Sequence, residues 1–186
     1  MGGEVEKKRV SLANAARPGR LALQRQYARG VGSADCIILG DSAEERMLRV
    51  VAAVIEREDR RFLIGQRRRG DSSPLKWEFP GGKVKNGEEL EAALARELKE
   101  ELGVTLMRSR EIAQVRHQYA NYPEELEIHF FAARILDEEM TPRSFEQVAW
   151  VLPKELGQYD FLAANRDLIA RIATGKIKAR EILGEG

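Results

Sequence analysis

The feature that most constrains this chain is a run of leucines, Leu90, Leu94, Leu98 and Leu102, set four residues apart and interleaved with acids. At about 100° per residue they form one apolar stripe along a helix. Glu97 and Glu101 fall beside that stripe rather than opposite it, and Glu100 lies just past Glu97 on the same side. Side chains three and four apart on a helix are neighbours, so three carboxylates crowd at the margin of a face that must be buried. Lys99 points the other way; Arg96 reaches Glu100 at i+4 but is a single cation. Read alone, the helix fits a solvated acidic face. A hard divalent cation would resolve the crowding, because Mg²⁺ takes oxygen ligands and is shared between carboxylates, waters and phosphates. The helix is expected to start with Asn86 as its N-cap and to stop at Gly103.

Trp77-Glu78-Phe79-Pro80-Gly81-Gly82 leads into the helix, and its two glycines allow close approach of a ligand to the main chain. Strands are expected at Leu48 to Ile55, Arg61 to Arg68, Glu111 to Tyr119, Leu126 to Ile135 and Gln147 to Leu152. A last helix is expected from Asn165 to about Thr174. With no regular βαβ alternation, the fold class is α+β, with a mixed sheet covered by helices. Residues 1–46 carry scattered arginines and little periodicity, and read as a flexible N-terminal extension; the working domain is 47–186.

Composition excludes several classes. A length of 186 residues suits one domain. Lys plus Arg number 31 against 30 Asp plus Glu, so there is no basic excess of the kind a nucleic-acid binder shows, and no stable nucleic-acid partner is expected. Cys36 is the only cysteine, which rules out an internal disulfide and fits a reducing compartment. The sequence contains neither a membrane-length apolar run nor a signal-peptide pattern, so no membrane association is expected and the location is expected to be cytoplasmic. Oligomeric state is not legible.

From Gly82 to Val104 the sequence reads GKVKNGEELEAALARELKEELGV. This resembles the Nudix box, with Gly82, Glu88, Arg96, Glu97, Leu98, Glu100, Glu101, Gly103 and Val104 in register without a gap. The resemblance implies a Nudix-type α/β/α sandwich with a mixed central sheet. It also implies Mg²⁺, or Mn²⁺ in its place, held by Glu97, Glu100, Glu101 and the Gly81 carbonyl. Arg96 would orient the carboxylates and Glu88 would support the junction of loop and helix. The implied reaction is attack of water on a phosphorus of a nucleoside triphosphate, releasing pyrophosphate. The natural candidate for the general base is Glu146; Ser144 is the other occupant of that position, and a box glutamate is the third source.

The likeness runs from about Met47 to about Ala173: Arg67, Trp77 to Gly82, His117-Gln118-Tyr119, Trp150-Val151 and Tyr159 to Asn165 resemble most the MutT-like branch, the 8-oxo-dGTP diphosphatases that clean the nucleotide pool. It implies substrate contacts from Arg67, Phe79 and Asn165. An Asn amide offers one acceptor and two donors. Oxidised guanine presents an N7–H donor beside O6, where ordinary guanine presents two acceptors, so one Asn matches only the oxidised base. As a plainer role, Asn165 would cap the last helix. Two rivals stand: hydrolysis of CTP or a modified pyrimidine triphosphate, a branch that Val50 to Glu56 also resembles but in which an Asp is expected at the Asn165 position, and a non-catalytic nucleotide- or nucleic-acid-binding module.

Overall fold

The computed structural model describes residues 47–120, 123–137 and 139–185. The expectation for residues 1–46 lies outside them. Strands β1 (Leu48–Ile55), β2 (Phe62–Arg67), β3 (Trp77–Glu78) and β4 (Gly81–Lys83) precede helix α1 (Leu90–Leu102). Strands β5 (Leu106–His117), β6 (Leu126–Ile135) and β7 (Phe145–Val151) follow, then α2 (Arg166–Ala173) and α3 (Ala179–Ile182). One sheet has the order β4-β1-β6-β5, the other β3-β2-β7. The β1–β6 pair is parallel, from Leu48 opposite Leu126 to Ile55 opposite Ala133, and its neighbours in the sheet are antiparallel. The sheet is therefore mixed, as expected.

Alternation along β1 divides the core. Val51, Ala53 and Ile55 pack with Leu94, Leu98 and Leu102 of α1, while Ala52 and Val54 join Leu168 and Ile172 of α2 on the other face. Helices thus cover both faces of the sheet, the sandwich layering that the sequence implied. Leu94, Leu98 and Leu102 are each 0% exposed. Burying such a side chain is worth roughly 1.5–3 kcal/mol. Three of them fix the rotation of α1, and this keeps Glu97 and Glu101 at the half-buried margin instead of letting them turn to water.

Strands β1 and β6 match their expected bounds, and Gly103 ends α1 with φ 75° and its N–H on the Lys99 carbonyl. The start of α1 is a correction: it lies at Leu90, and Asn86 is not its cap. Gly87, at φ 75°, turns the chain, the Glu88 N–H donates to the Lys85 carbonyl at 3.0 Å, and the Glu88 carboxylate accepts the Lys85 N–H at 2.9 Å. The segment closes a turn of its own in place of a first helical turn. Among the described residues no helix is long and apolar enough to cross a membrane.

Candidate active site

The turn before α1 and the helix itself are tied together by Arg96. Its Nε and Nη2 donate to the two oxygens of Glu88, both at 2.8 Å, and Nη2 also donates to the Lys83 carbonyl at 3.0 Å. Nη1 donates to Glu97 Oε1 at 2.7 Å and to Glu100 Oε2 at 3.3 Å. One guanidinium therefore touches three acids of the box and the backbone of β4. The Arg96 hydrogen bonds, with help from the Lys85 N–H, hold the Glu88 carboxyl down to about 2, and Glu88 in turn raises Arg96.

The two glycines are required by contact. At Gly81, with φ 154°, a Cβ would run into the Val51 carbonyl on β1. At Gly82 a Cβ would sit 2.5 Å from Cδ of Glu97, in the space that this carboxylate fills. The Gly81 N–H donates to Glu101 Oε2 at 3.0 Å. Burial pushes the Glu101 carboxyl up to about 8; the Gly81 N–H and Arg67 pull it down, while the charges of Glu78 and Glu97 push it further up.

The candidate donors are the carboxylate oxygens of Glu97, Glu100 and Glu101, the kind a hard divalent cation prefers, and a buried carboxyl resisting ionisation is relieved by such a charge. On that chemistry the residues fit the ion. As they stand, no three acidic, histidine or cysteine side chains among the described residues close around a single point. Glu97 and Glu100 accept from Arg96, and Glu101 accepts from the Gly81 N–H.

A cavity of about 870 Å³ opens beside the glycines. Its polar lining includes Arg67, Glu78, Lys83 and Glu101; its apolar lining includes Val50, Phe79 and Ile128, with Tyr119 and Asn165 as polar groups among them. Arg67 lines the cavity, and its Nη1 donates to both oxygens of Glu78 at 3.1 and 3.0 Å. Phe79 is 3% exposed and packs against Phe130 and Phe161, so it is a core residue that also lines the cavity. Asn165 stands at the N-cap of α2, yet its side chain makes no capping hydrogen bond; it is 5% exposed and lines the cavity.

Glu146 is the site residue that the fold does not bring in. Phe145 turns inward against Gly65, so the pleat sends Glu146 to the opposite face, where it meets Arg69 at 3.7 Å. Ser144 lines the cavity instead. Two residues had no assigned role in the sequence. Glu78 is a carboxyl raised by burial beside Arg67, and the hydroxyl of Tyr119 is buried with no hydrogen-bond partner. The signal for Glu78 was an acid between the aromatics Trp77 and Phe79; Tyr119 closed the expected strand Glu111 to Tyr119 within the run His117-Gln118-Tyr119, which carries part of the family likeness but no role for its hydroxyl.

The model of the NUDIX domain matches residues 46–172. The chain is 36% identical over 129 residues to the CTP pyrophosphohydrolase of Escherichia coli (strain K12), covering 67% of this chain and 90% of that protein. It is 30% identical over 129 residues to the 8-oxo-dGTP diphosphatase of Haemophilus influenzae, covering 69% of this chain and 93% of the relative. Among solved structures, the MutT protein from Methanosarcina mazei Go1 superposes with a TM-score of 0.64 at 26% identity, over 74% of this chain and 100% of that one.

Proposed function

The chain belongs to the NUDIX domain family, and on that footing we propose that it is a divalent-metal-dependent nucleoside triphosphate pyrophosphohydrolase whose preferred substrate is 8-oxo-dGTP. The observation that carries the choice of base is Asn165: a buried amide that lines the cavity and is not spent on capping the helix it precedes. Its acceptor and donors complement the O6 and N7–H edge of the oxidised base and mismatch ordinary guanine. Leaving such a buried group unpaired gives discrimination on the order of 10⁴ in favourable cases.

In this reading Glu97, Glu100, Glu101 and the Gly81 carbonyl would hold Mg²⁺ or Mn²⁺. When bound, the ion supplies polarisation of the phosphate and neutralisation of the departing pyrophosphate. The chain's own part is positional. Arg96 holds Glu97 and Glu100 within reach of one another, and Glu88 fixes the guanidinium. Arg67, poised at the cavity wall, contacts substrate, and Phe79 borders the base. Water adds to a phosphorus, the bridging P–O bond breaks, and a nucleoside monophosphate and pyrophosphate leave. The proton of that water goes to a box glutamate in preference to Glu146, whose carboxylate faces Arg69 outside the cavity. A freely diffusing nucleotide as the partner fits a cytoplasmic location.

A second reading, hydrolysis of CTP, is supported by the Escherichia coli relative, which is 36% identical over 129 residues where the Haemophilus influenzae 8-oxo-dGTP diphosphatase is 30% identical over the same length. Pyrophosphate release in Mg²⁺ from 8-oxo-dGTP, dGTP, CTP and dCTP at low micromolar concentration separates the two. The proposal expects kcat/KM for 8-oxo-dGTP to exceed that for the other three. Turnover dominated by a pyrimidine triphosphate would leave the reaction class intact and overturn the role of Asn165.

A further inference from the structure

Tyr119 follows the end of β5, with its ring edge-on to His117 at 4.3 Å, and it lines the same cavity as Asn165. Its hydroxyl oxygen is fully buried and makes no hydrogen bond of ordinary geometry. The group facing that oxygen is the backbone N–H of Ala164, the residue next to Asn165 in the chain. A tyrosine hydroxyl has one donor and two lone pairs. With an N–H facing its oxygen, the capacity left over is the proton, and among the described residues no protein acceptor takes it. Burial pushes the phenol up from its ordinary value, so the proton stays on. Buried donors without a partner are uncommon in folded proteins, and a ligand acceptor is one way to complete them.

We propose that Tyr119 is a specificity-determining residue, whose hydroxyl donates a hydrogen bond to an acceptor on the base next to the pair of groups read by Asn165. This rests on the reading of the substrate given above. If the Asn165 amide spans O6 and N7–H of the oxidised guanine, the neighbouring group on that edge is O8. Ordinary guanine carries a C8–H there and offers no acceptor. Asn165 and Tyr119 then read consecutive positions of one edge, and the hydroxyl contributes to binding only when the base is oxidised.

The test is calorimetric titration of 8-oxo-dGMP and dGMP into the full chain, without added metal, for the wild type, Tyr119→Phe and Asn165→Ala. Phenylalanine keeps the ring and its contact with His117, so an unchanged melting temperature certifies the fold. Loss of one neutral hydrogen bond is expected to weaken 8-oxo-dGMP binding by roughly three- to tenfold, with dGMP binding unchanged, so the ratio between the two ligands shrinks. An unchanged ratio in Tyr119→Phe, whether both affinities hold or both fall together, overturns the role of Tyr119 while a lowered ratio in Asn165→Ala keeps the reading of the base. A wild type that binds the two monophosphates equally sinks that reading and this inference with it.

Discussion

Arg96 and Glu88 are joined by two parallel hydrogen bonds, each 2.8 Å long, across the turn that leads into α1. Such a bidentate pair fixes direction as well as distance. It holds the guanidinium where Nη1 meets Glu97 and Glu100, so the orientation of two acids on the helix is set from the loop.

Glu101→Gln keeps an oxygen to accept the Gly81 N–H and removes the charge. The expected outcome is a folded protein whose kcat falls by a factor on the order of 10³ or more. Circular dichroism checks the fold and pyrophosphate release the rate. A near-normal rate would sink the assignment of Glu101 as a ligand.

Asn165→Ala should lower the preference for 8-oxo-dGTP over dGTP while leaving the Mg²⁺ concentration for half-maximal activity nearly unchanged. A parallel loss with both nucleotides would point to a structural role at the start of α2.

Gly81→Ala and Gly82→Ala should fail in different ways. The new Cβ at position 81 meets the backbone of β1, which cannot give easily, so the expected cost is about 1–3 kcal/mol of stability. At position 82 it meets the end of the flexible Glu97 side chain. Stability should change by less than about 1 kcal/mol, while turnover drops because Glu97 is displaced. Urea melts and kinetics on both variants decide it.

The Glu88 carboxyl, held at about 2 against an ordinary 4.5, gives a pH signature. An acid depressed on folding contributes stability that is present above its unfolded value of 4.5 and is lost as the pH falls towards 2. Thermal melts between pH 2 and 6 should show this loss in the wild type and a flatter profile in Glu88→Gln. Added salt should weaken the difference, because the pair is near solvent. Identical profiles would mean that Glu88 is not held by Arg96 in solution.

A chain beginning at Met47 should fold and keep its turnover, since the described backbone hydrogen-bond and pairing partners of β1 all lie between Pro80 and Ala133. An insoluble product, or loss of activity in a folded one, would make residues 1–46 part of the working domain.

The sequence was most legible where local pattern and burial agree. The leucine stripe of α1 is a signal of period 3.6, while β1 and β6 are short, nearly continuous apolar runs of the kind a strand buried on both faces carries, and the elements lie where those signals place them. Strands β3 and β4 are too short to carry a period; they exist because Gln66 finds Trp77 and Val51 finds Gly82 across the sheets. The start of α1 was misread because Asn86 is an ordinary capping residue, whereas the turn there is closed by Glu88 and by an arginine two helical turns downstream. Glu146 shows the same limit: which way it points follows from Phe145 seeking the core, a choice made by the pleat and not by the residue's own chemistry. Tyr119 was legible as an aromatic at a strand end and as part of the His117-Gln118-Tyr119 run, but its role was not, because an unmet hydrogen bond exists only in three dimensions.

The parallel pairing of β1 with β6 also governs the order of assembly. Leu48 waits for Leu126, and the whole acidic helix lies between them in the chain. A ribosome therefore releases α1 well before the strand that completes the centre of its sheet. Until then the apolar edge of β1 stands unpaired in the nascent chain, and the large loop has to close before its contacts return any free energy. The period of greatest exposure to misassociation in this protein's life is set by the distance between those two strands in sequence.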